Sequence, residues 1–474
     1  MSLFDFFDME DKRRATCEEM LFVFRESENK DRYDEWKYHK ISLDDLNFYE
    51  KTLPNDVFCD LLAIASLNWN GYVREKAVQM LSQTGKPESI PFILYRLSDW
   101  VKPVRLAAAQ GIVNFLSYSF LDAFVDNLQI IERLKIVERA DLTEIYVRII
   151  DFIVRENREW VLKSFRSYPE KTRIILAKHL VNTAVKESNA EVNIFLQDKS
   201  FMIRLHVIDY IDSSNSGIIE RLIHDKSQRV RIQTLYKLNE LKDVRDFENI
   251  LEHFIADSSA TARCYARFSL KEKIPDFSVV YADKLRHGKQ LVGSLLGLAE
   301  LNADAYSGEV KKFLYDEKIR VRKAAFFALS RLDEESAYLY ALNHLGSEFP
   351  GIRKIAIDFL ARNPRHETLE KAREYFKTGS YDLKCSMLHL FFKIGGWATL
   401  SDLMRGTLSP EEEIRQASFD YLQQWKINAT RLCFSPEKES LDRIRAIFNE
   451  IHGIHEEKRY FQKNPLDGLD FYFE

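Results

Sequence analysis

The feature that most constrains this chain is a spacing. Basic residues Arg322, Arg353, Lys384 and Arg415 stand 31 apart without a slip, and the same phase recurs at Arg74, Arg105, Arg173, Arg204, Arg231 and Arg263. Relative to this marker, the position six before holds Asp99, Asp198, Asp225, Asp257 and Asp316, with Asn68 in the same slot. One before it stand Val73, Val104, Ile203, Val230, Val321 and Ile352; seven after it stand Leu81, Ile112, Leu180, Leu238, Leu329, Leu360, Phe391 and Leu422. A unit this short cannot bury an apolar face by itself, so the period implies neighbours stacked into one continuous core.

Positions −1, +3 and +7 fall on one stripe of a helix with 3.6 residues per turn, which makes the marker segment an amphipathic helix. Upstream, pairs four apart such as Ile93 and Leu97, Val161 and Phe165, Ile219 and Ile223, and Val310 and Leu314 mark a first helix in each unit. The expected fold is all-α, a right-handed α-solenoid of stacked antiparallel helix pairs. The Asp slot falls in the turn between the helices, where a carboxylate is expected to cap the second helix and meet the positive end of its dipole. The basic slot is expected to pair with the Asp of its own or the adjacent repeat.

Paired helices, Asp in the turn, and Val-Arg six residues on with alanine following, as in Asp99…Val104-Arg105-Leu106-Ala107, resemble the HEAT repeat family, especially its short bacterial type. The resemblance covers about residues 55–425. It implies a helical solenoid and is nearly silent on activity.

The domain layout expected from the register is an N-terminal helical cap over 1–50, a repeat solenoid over 51–434, and a capping helix with an acidic aromatic tail over 435–474. Two places break the register. Arg105 and Arg173 are 68 apart, which places an irregular repeat near 117–150. Near 276–305 the Asp and Arg slots are lost and Gly288, Gly293, Gly297 and Gly308 gather nearby. Glycine inside a helix costs about 1 kcal/mol relative to alanine, so that segment is either a bend or a close approach of two backbones, and propensity favours the bend. At the end of the chain, 436–452 reads as one more amphipathic helix, stopped at Gly453. The segment 464–474 sets aromatics among acids and is expected to dock, either on its own cap or in trans.

Composition supports the helical reading, since 16 Gly and 11 Pro in 474 residues are few for a mixed sheet protein. A net charge of −4 provides no global field for nucleic acid. Cys17, Cys59, Cys264, Cys385 and Cys433 show no metal spacing, and Cys264 and Cys385 stand in equivalent slots several repeats apart. A reducing compartment follows as the simplest expectation. Residues 1–8 lack the form of a secretory signal and no apolar run approaches about 20 residues, so a soluble cytoplasmic protein is expected.

No phosphate loop, His-Glu-x-x-His or nucleophile elbow is present, and the chain is expected to be non-enzymatic, without cofactor or metal. His452 and His455 are the closest histidine pair, but Gly453 lies between them and no cysteine completes a site. Ten basic residues in one phase are required by every repeat, whereas a catalyst needs its groups once, so the Asp and Arg slots are read as structural. Trp69 and Trp100 share the slot at −5 and are read as packing.

The slots at +4, +5, +8 and +9 are expected to face the concave surface. They hold the candidate partner-binding residues Tyr236, Arg267, Phe268, Lys271, Phe327, Arg331, His389, Phe392 and Lys393. Aromatics interleaved with cations suit an acidic peptide, or bases and phosphates. Asp209, Asp358 and Asp420 at +5 elsewhere argue against a continuous phosphate track. The expected function is a protein-binding scaffold or adaptor that engages a protein or peptide on its concave face. The alternative is nucleic-acid binding, since the alkylpurine DNA glycosylases use HEAT-like solenoids, although none of their motifs can be carried onto this sequence. A phycobilin lyase-type accessory is suggested by the short repeat type alone.

Overall fold

A computed structural model describes residues 41–187, 189–241, 247–429, 436, 438–458, 460, 461 and 463–473, with Cys17, Met20 and Leu21. The described residues form helices joined by short connections, with no strand among them. The chain divides into two compact units, Met1–Arg245 and Asp246–Glu474, at a boundary inside the 51–434 solenoid expected from the repeat. Most of the expected cap over 1–50 lies outside the described residues, and so does Cys433.

In the first unit the helices are α1 (Leu43–Thr52), α2 (Asn55–Ala65), α3 (Gly71–Leu81), α4 (Ile90–Arg96), α5 (Lys102–Asn114), α6 (Leu121–Asp126), α7 (Leu128–Arg133), α8 (Thr143–Asp151), α9 (Arg158–Ser164), α10 (Glu170–Glu187), α11 (Asn189–Leu196), α12 (Phe201–Ile208), α13 (Ser216–Ile223) and α14 (Gln228–Glu240). The second unit holds α15 (Phe247–Ile255), α16 (Ala260–Leu270), α17 (Phe277–Arg286), α18 (Leu291–Glu300), α19 (Ser307–Lys311), α20 (Ile319–Leu332), α21 (Glu334–Asn343), α22 (Pro350–Leu360), α23 (His366–Thr378), α24 (Tyr381–Ile394), α25 (Leu400–Gly406), α26 (Glu412–Ala429) and α27 (Lys438–Lys458). Helices pair and stack in order within each unit. The +7 stripe is buried in every repeat, from Leu81 and Ile112 to Phe391 and Leu422, and the first helices bury Ile93, Val161, Ile219 and Val310 against it. Each such side chain contributes on the order of 1.5–3 kcal/mol.

In eight repeats the marker arginine performs one job. Its Nη1 donates to the carbonyl six residues before: Arg74 to Asn68, Arg105 to Asp99, Arg204 to Asp198, Arg231 to Asp225, Arg263 to Asp257, Arg322 to Asp316, Arg353 to Ser347 and Arg415 to Ser409. Five of these arginines also hold the next carbonyl. The guanidinium thus ties down the turn that precedes its own helix, where the carbonyls would otherwise be unpaired. The Asp in that turn does not cap the helix as expected. Its carboxylate accepts the N–H two residues on, as Asp99 does from Val101 and Asp198 from Ser200, both at 2.8 Å. That is an Asx turn placed before the helix begins, so the dipole argument does not apply.

The same carboxylate receives the arginine of the preceding repeat. Arg74 meets Asp99 through Nε at 2.9 Å and Nη2 at 2.8 Å, Arg173 meets Asp198 at 2.9 and 3.1 Å, and Arg204 meets Asp225 at 2.6 and 2.9 Å. Each of these three guanidiniums therefore spends one edge on its own turn and the other on its neighbour. Burial alone would push the Asp99 carboxyl up; the hydrogen bonds from Arg74 and the Val101 N–H, with the charges of Arg96 and Arg74, hold it below the ordinary carboxylate range.

The slot at −5 shows the consequence for Trp69 and Trp100. They are not packed, as expected, but 65% and 79% exposed. Their carbonyls turn inward to Arg74 and Arg105, which throws the indoles outward, and Arg139 lies 4.0 Å above the Trp100 ring. The glycines near 276–305 also differ from the favoured reading. A Cβ on Gly293 would collide with the carbonyl of Ala256, and one on Gly297 with the ring of Tyr281, so these two serve close approach and not a bend. With no Asp in that repeat, Glu300 takes Arg263 instead.

At the end of the chain α27 runs through Gly453 to Lys458, past the expected stop, because Ile451 and His455 continue its buried face. The tail docks in cis. Leu466 and Leu469 are fully buried, Tyr472 donates to the Lys426 carbonyl at 3.1 Å and sets its ring edge-on to Trp425, and Asn464 donates to the His452 carbonyl at 3.1 Å.

Asp99→Ala strands Arg74 and Arg96 in a buried setting and is expected to cost about 3–5 kcal/mol in urea unfolding, whereas Arg322→Ala loses bonds to two carbonyls and costs about 1–2 kcal/mol. Because the folded Asp99 pKa is lowered, its stabilisation is complete above the ordinary carboxylate range and fades as pH falls through the lower folded value. The acid limb should flatten in Asp99→Ala. Deletion of 464–474 removes two buried leucines and should lower the melting temperature of the isolated protein; an unchanged melting temperature would refute the cis docking.

Candidate binding face

The second helices present their outer stripe at +1, +5 and +9, one residue out of step with the expected set. Residues at +4 turn inward: Phe326, Ile357 and Leu388 are buried there. Arg267 occupies the same slot and is half-buried, with Nη1 at 2.8 Å from both the Tyr281 hydroxyl and Glu300. It serves the packing of α16 on α17 and α18. Tyr236 is exposed on α14 and belongs to the first unit, so it is not grouped with the other candidates.

In the second unit the remaining candidates lie on α16, α20 and α24. Phe268 is exposed on α16 and Lys271 at its C-terminal cap, with the Lys271 ammonium 4.8 Å from the ring. On α20, Phe327 is 44% exposed and carries the Arg331 guanidinium at 5.1 Å. On α24, His389 is exposed, Phe392 stacks on Tyr421 of α26 at 4.1 Å, and Lys393 pairs with Asp358 of α22. Burial lowers the His389 pKa, aided by Lys393 and Lys354 against the opposing pull of Asp358, so the ring stays neutral over more of the pH range.

Two clefts open between these helices. One of about 270 Å³ separates α20 from α22, floored by Phe326, Phe327 and Phe359 and rimmed by Lys323, Arg331 and Arg362. The other, about 310 Å³, separates α22 from α24, with Ile357 and Pro350 below and Lys354, Ser386 and His389 at the rim. Asp358 lines both. Cys385 lies in the second cleft, where burial and nearby carboxylates raise its pKa and keep the thiol protonated. Lys323, Lys354, Arg362 and Phe359 were missed in the sequence. The signal was available: +1, +5 and +9 are one helical stripe four residues apart, and Lys323–Phe327–Arg331 reads directly along it.

A cleft of about 500 Å³ in the first unit also lies between second helices, α5 and α8, but its walls mix Lys102, Arg105 and Arg148 with Asp141 and Glu144. The other concentration of titratable groups is Glu132, Tyr146 and His179. Glu132 accepts from Tyr146 at 2.7 Å and lies 2.9 Å from His179 Nε2, with Lys135 at 3.0 Å. Burial would raise its pKa, yet the bonds from His179, Tyr146 and Lys135 take it down to about 2. A carboxylate held that firmly ionised is unsuited to proton transfer near neutrality. It stitches α7, α8 and α10 together across the irregular repeat.

No family profile matches the chain, and no curated protein matches it. Among solved structures it is similar to an engineered protein, with 12% identity and a TM-score of 0.22 over 87% of this chain and 99% of that one. It is also similar to a mutant of Kap121p, with 11% identity and a TM-score of 0.25 over 92% of this chain and 52% of that one. The chain therefore spans about half the length of the Kap121p chain. Neither likeness bears on function. No helix among the described residues is long and apolar enough to cross a membrane.

Proposed function

We propose that the protein is a non-enzymatic scaffold of HEAT type, acting in the cytoplasm, which engages a protein or peptide on the second-helix face of residues 246–474. The observation that carries this reading is the pair of open, apolar-floored clefts between α20, α22 and α24, the first of them lined by three phenylalanines. The repeat itself does not require them. Stacking consumes −1, +3 and +7, and the turn consumes the marker, which leaves +1, +5 and +9 free to differ. Clefts of this size accept single large side chains, and rigid helices fix their separation. The arrangement supports recognition in which a few anchoring side chains carry most of the affinity.

Site-specific photocrosslinking in cells tests it. Phe327→p-benzoylphenylalanine is compared with the same replacement at Leu339, which is exposed on the first helix α21. A discrete protein adduct is expected at 327 and not at 339. Reconstituted with the purified adduct partner, the full chain should form a complex that Phe327→Ala weakens. Adducts that are equal at both positions, or removed by nuclease, would overturn the proposal.

A further inference from the structure

Among the described residues of the second unit, several cations are held by carboxylates. Arg263 and Arg267 meet Glu300, Arg373 meets Asp402, Arg365 meets Glu335, Lys311 meets Asp333 and Lys384 meets Glu411. One patch differs. Along the outer stripes of α20, α22 and α24 stand Lys323, Arg331, Lys354, Arg362 and Lys393, against the single carboxylate of Asp358, which Lys393 already holds. Among the described residues no carboxylate pairs with Lys323, Arg331, Lys354 or Arg362. Four exposed cations are thus gathered without counter-ions around two clefts that have apolar floors.

The patch is also bounded. On α18, before it, the same stripe reads Val292, Leu296 and Glu300, the last already held by Arg263 and Arg267; on α26, after it, Gln416, Asp420 and Gln424. Three neighbouring helices at about 8–10 Å spacing span roughly 20 Å, which an extended peptide covers in about six residues. A nucleic-acid strand would need a longer run of cations and would place a phosphate beside Asp358. Resting on the scaffold reading above, we infer that this face binds a short acidic peptide, extended across α20, α22 and α24. An apolar or aromatic residue of the peptide enters the cleft floored by Phe326, Phe327 and Phe359. Flanking Asp and Glu side chains meet Lys323 and Arg331 on one side and Lys354 and Arg362 on the other. Asp358 between the clefts disfavours an acid at the crossing point, so the peptide is acidic at its flanks and not throughout.

The test uses the full chain and fluorescein-labelled probes read by anisotropy: Glu-Asp-Phe-Gly-Glu-Asp-Glu, the same peptide with Gly for Phe, a copy with Lys for every acid, and a ten-nucleotide single-stranded DNA. The tightest saturable binding is expected for the first probe, and none for the basic peptide or the DNA. The Gly version should bind at least about fivefold more weakly, and salt raised from about 50 to 500 mM should weaken binding further. The quadruple variant Lys323→Glu, Arg331→Glu, Lys354→Glu, Arg362→Glu should bind the first probe at least about tenfold more weakly, with an unchanged circular-dichroism melt because none of the four is tied to a carboxylate. Equal binding of the acidic and basic peptides, or retained affinity in the quadruple variant, overturns the inference. Preferential binding of the DNA with the same sensitivity to charge reversal overturns it in favour of nucleic acid. A specific protein adduct at residue 327 with no acidic-peptide binding would leave the scaffold standing and remove only the acidic ligand.

Discussion

The two-edged arginine is the interaction on which the rest of the structure depends. A guanidinium has five donors in a planar fork, enough to hold the carbonyls of its own turn with one nitrogen and a neighbouring carboxylate with the others. Lysine cannot do both. At Lys384 the ammonium reaches Glu411 in the next turn at 2.8 Å, and no bond to its own turn accompanies it. The turn is the weak point of a stack of helix pairs, because its carbonyls lie outside both helices and have no partner within them. Once arginine satisfies those carbonyls, the helix pair is set at a fixed angle and the neighbour is registered through the Asx carboxylate.

Much else follows from that geometry. The indoles of Trp69 and Trp100 point outward because their own carbonyls point in. Where the Asp is missing, Glu300 approaches from α18 to complete Arg263, and the same carboxylate recruits Arg267 from a slot that elsewhere is apolar. The stacking machinery leaves a stripe of each second helix without a structural task. On α20, α22 and α24 that stripe carries cations and opens clefts, and these are the features on which the functional proposal rests.

The ladder was legible in the sequence because the fold requires it many times over: a residue needed in ten repeats declares itself by recurrence. The inward stripe was legible for the same reason. The outward face was legible only in part. The sequence places Phe327, Arg331, His389 and Lys393 outward, but spacing alone does not show that Phe326 and Ile357 at +4 bury or that Lys323 and Lys354 at +1 line the clefts. A helical face is about 100° wide, and a one-residue error of phase moves a residue from rim to core. The collision sites at Gly293 and Gly297 depend on the positions of Ala256 and Tyr281, which no local spacing encodes.

A double-mutant cycle on Arg204 and Asp225 measures the central interaction most directly. The pair is buried and bidentate, and it joins successive repeats within one unit. Arg204→Ala, Asp225→Ala and the double variant would be unfolded in urea under identical conditions. The account predicts a coupling energy of about 2–3 kcal/mol, with the double variant far less destabilised than the sum of the singles. Additivity within about 0.5 kcal/mol would show that the two side chains act independently, and the stitched-turn account of the stack would be wrong.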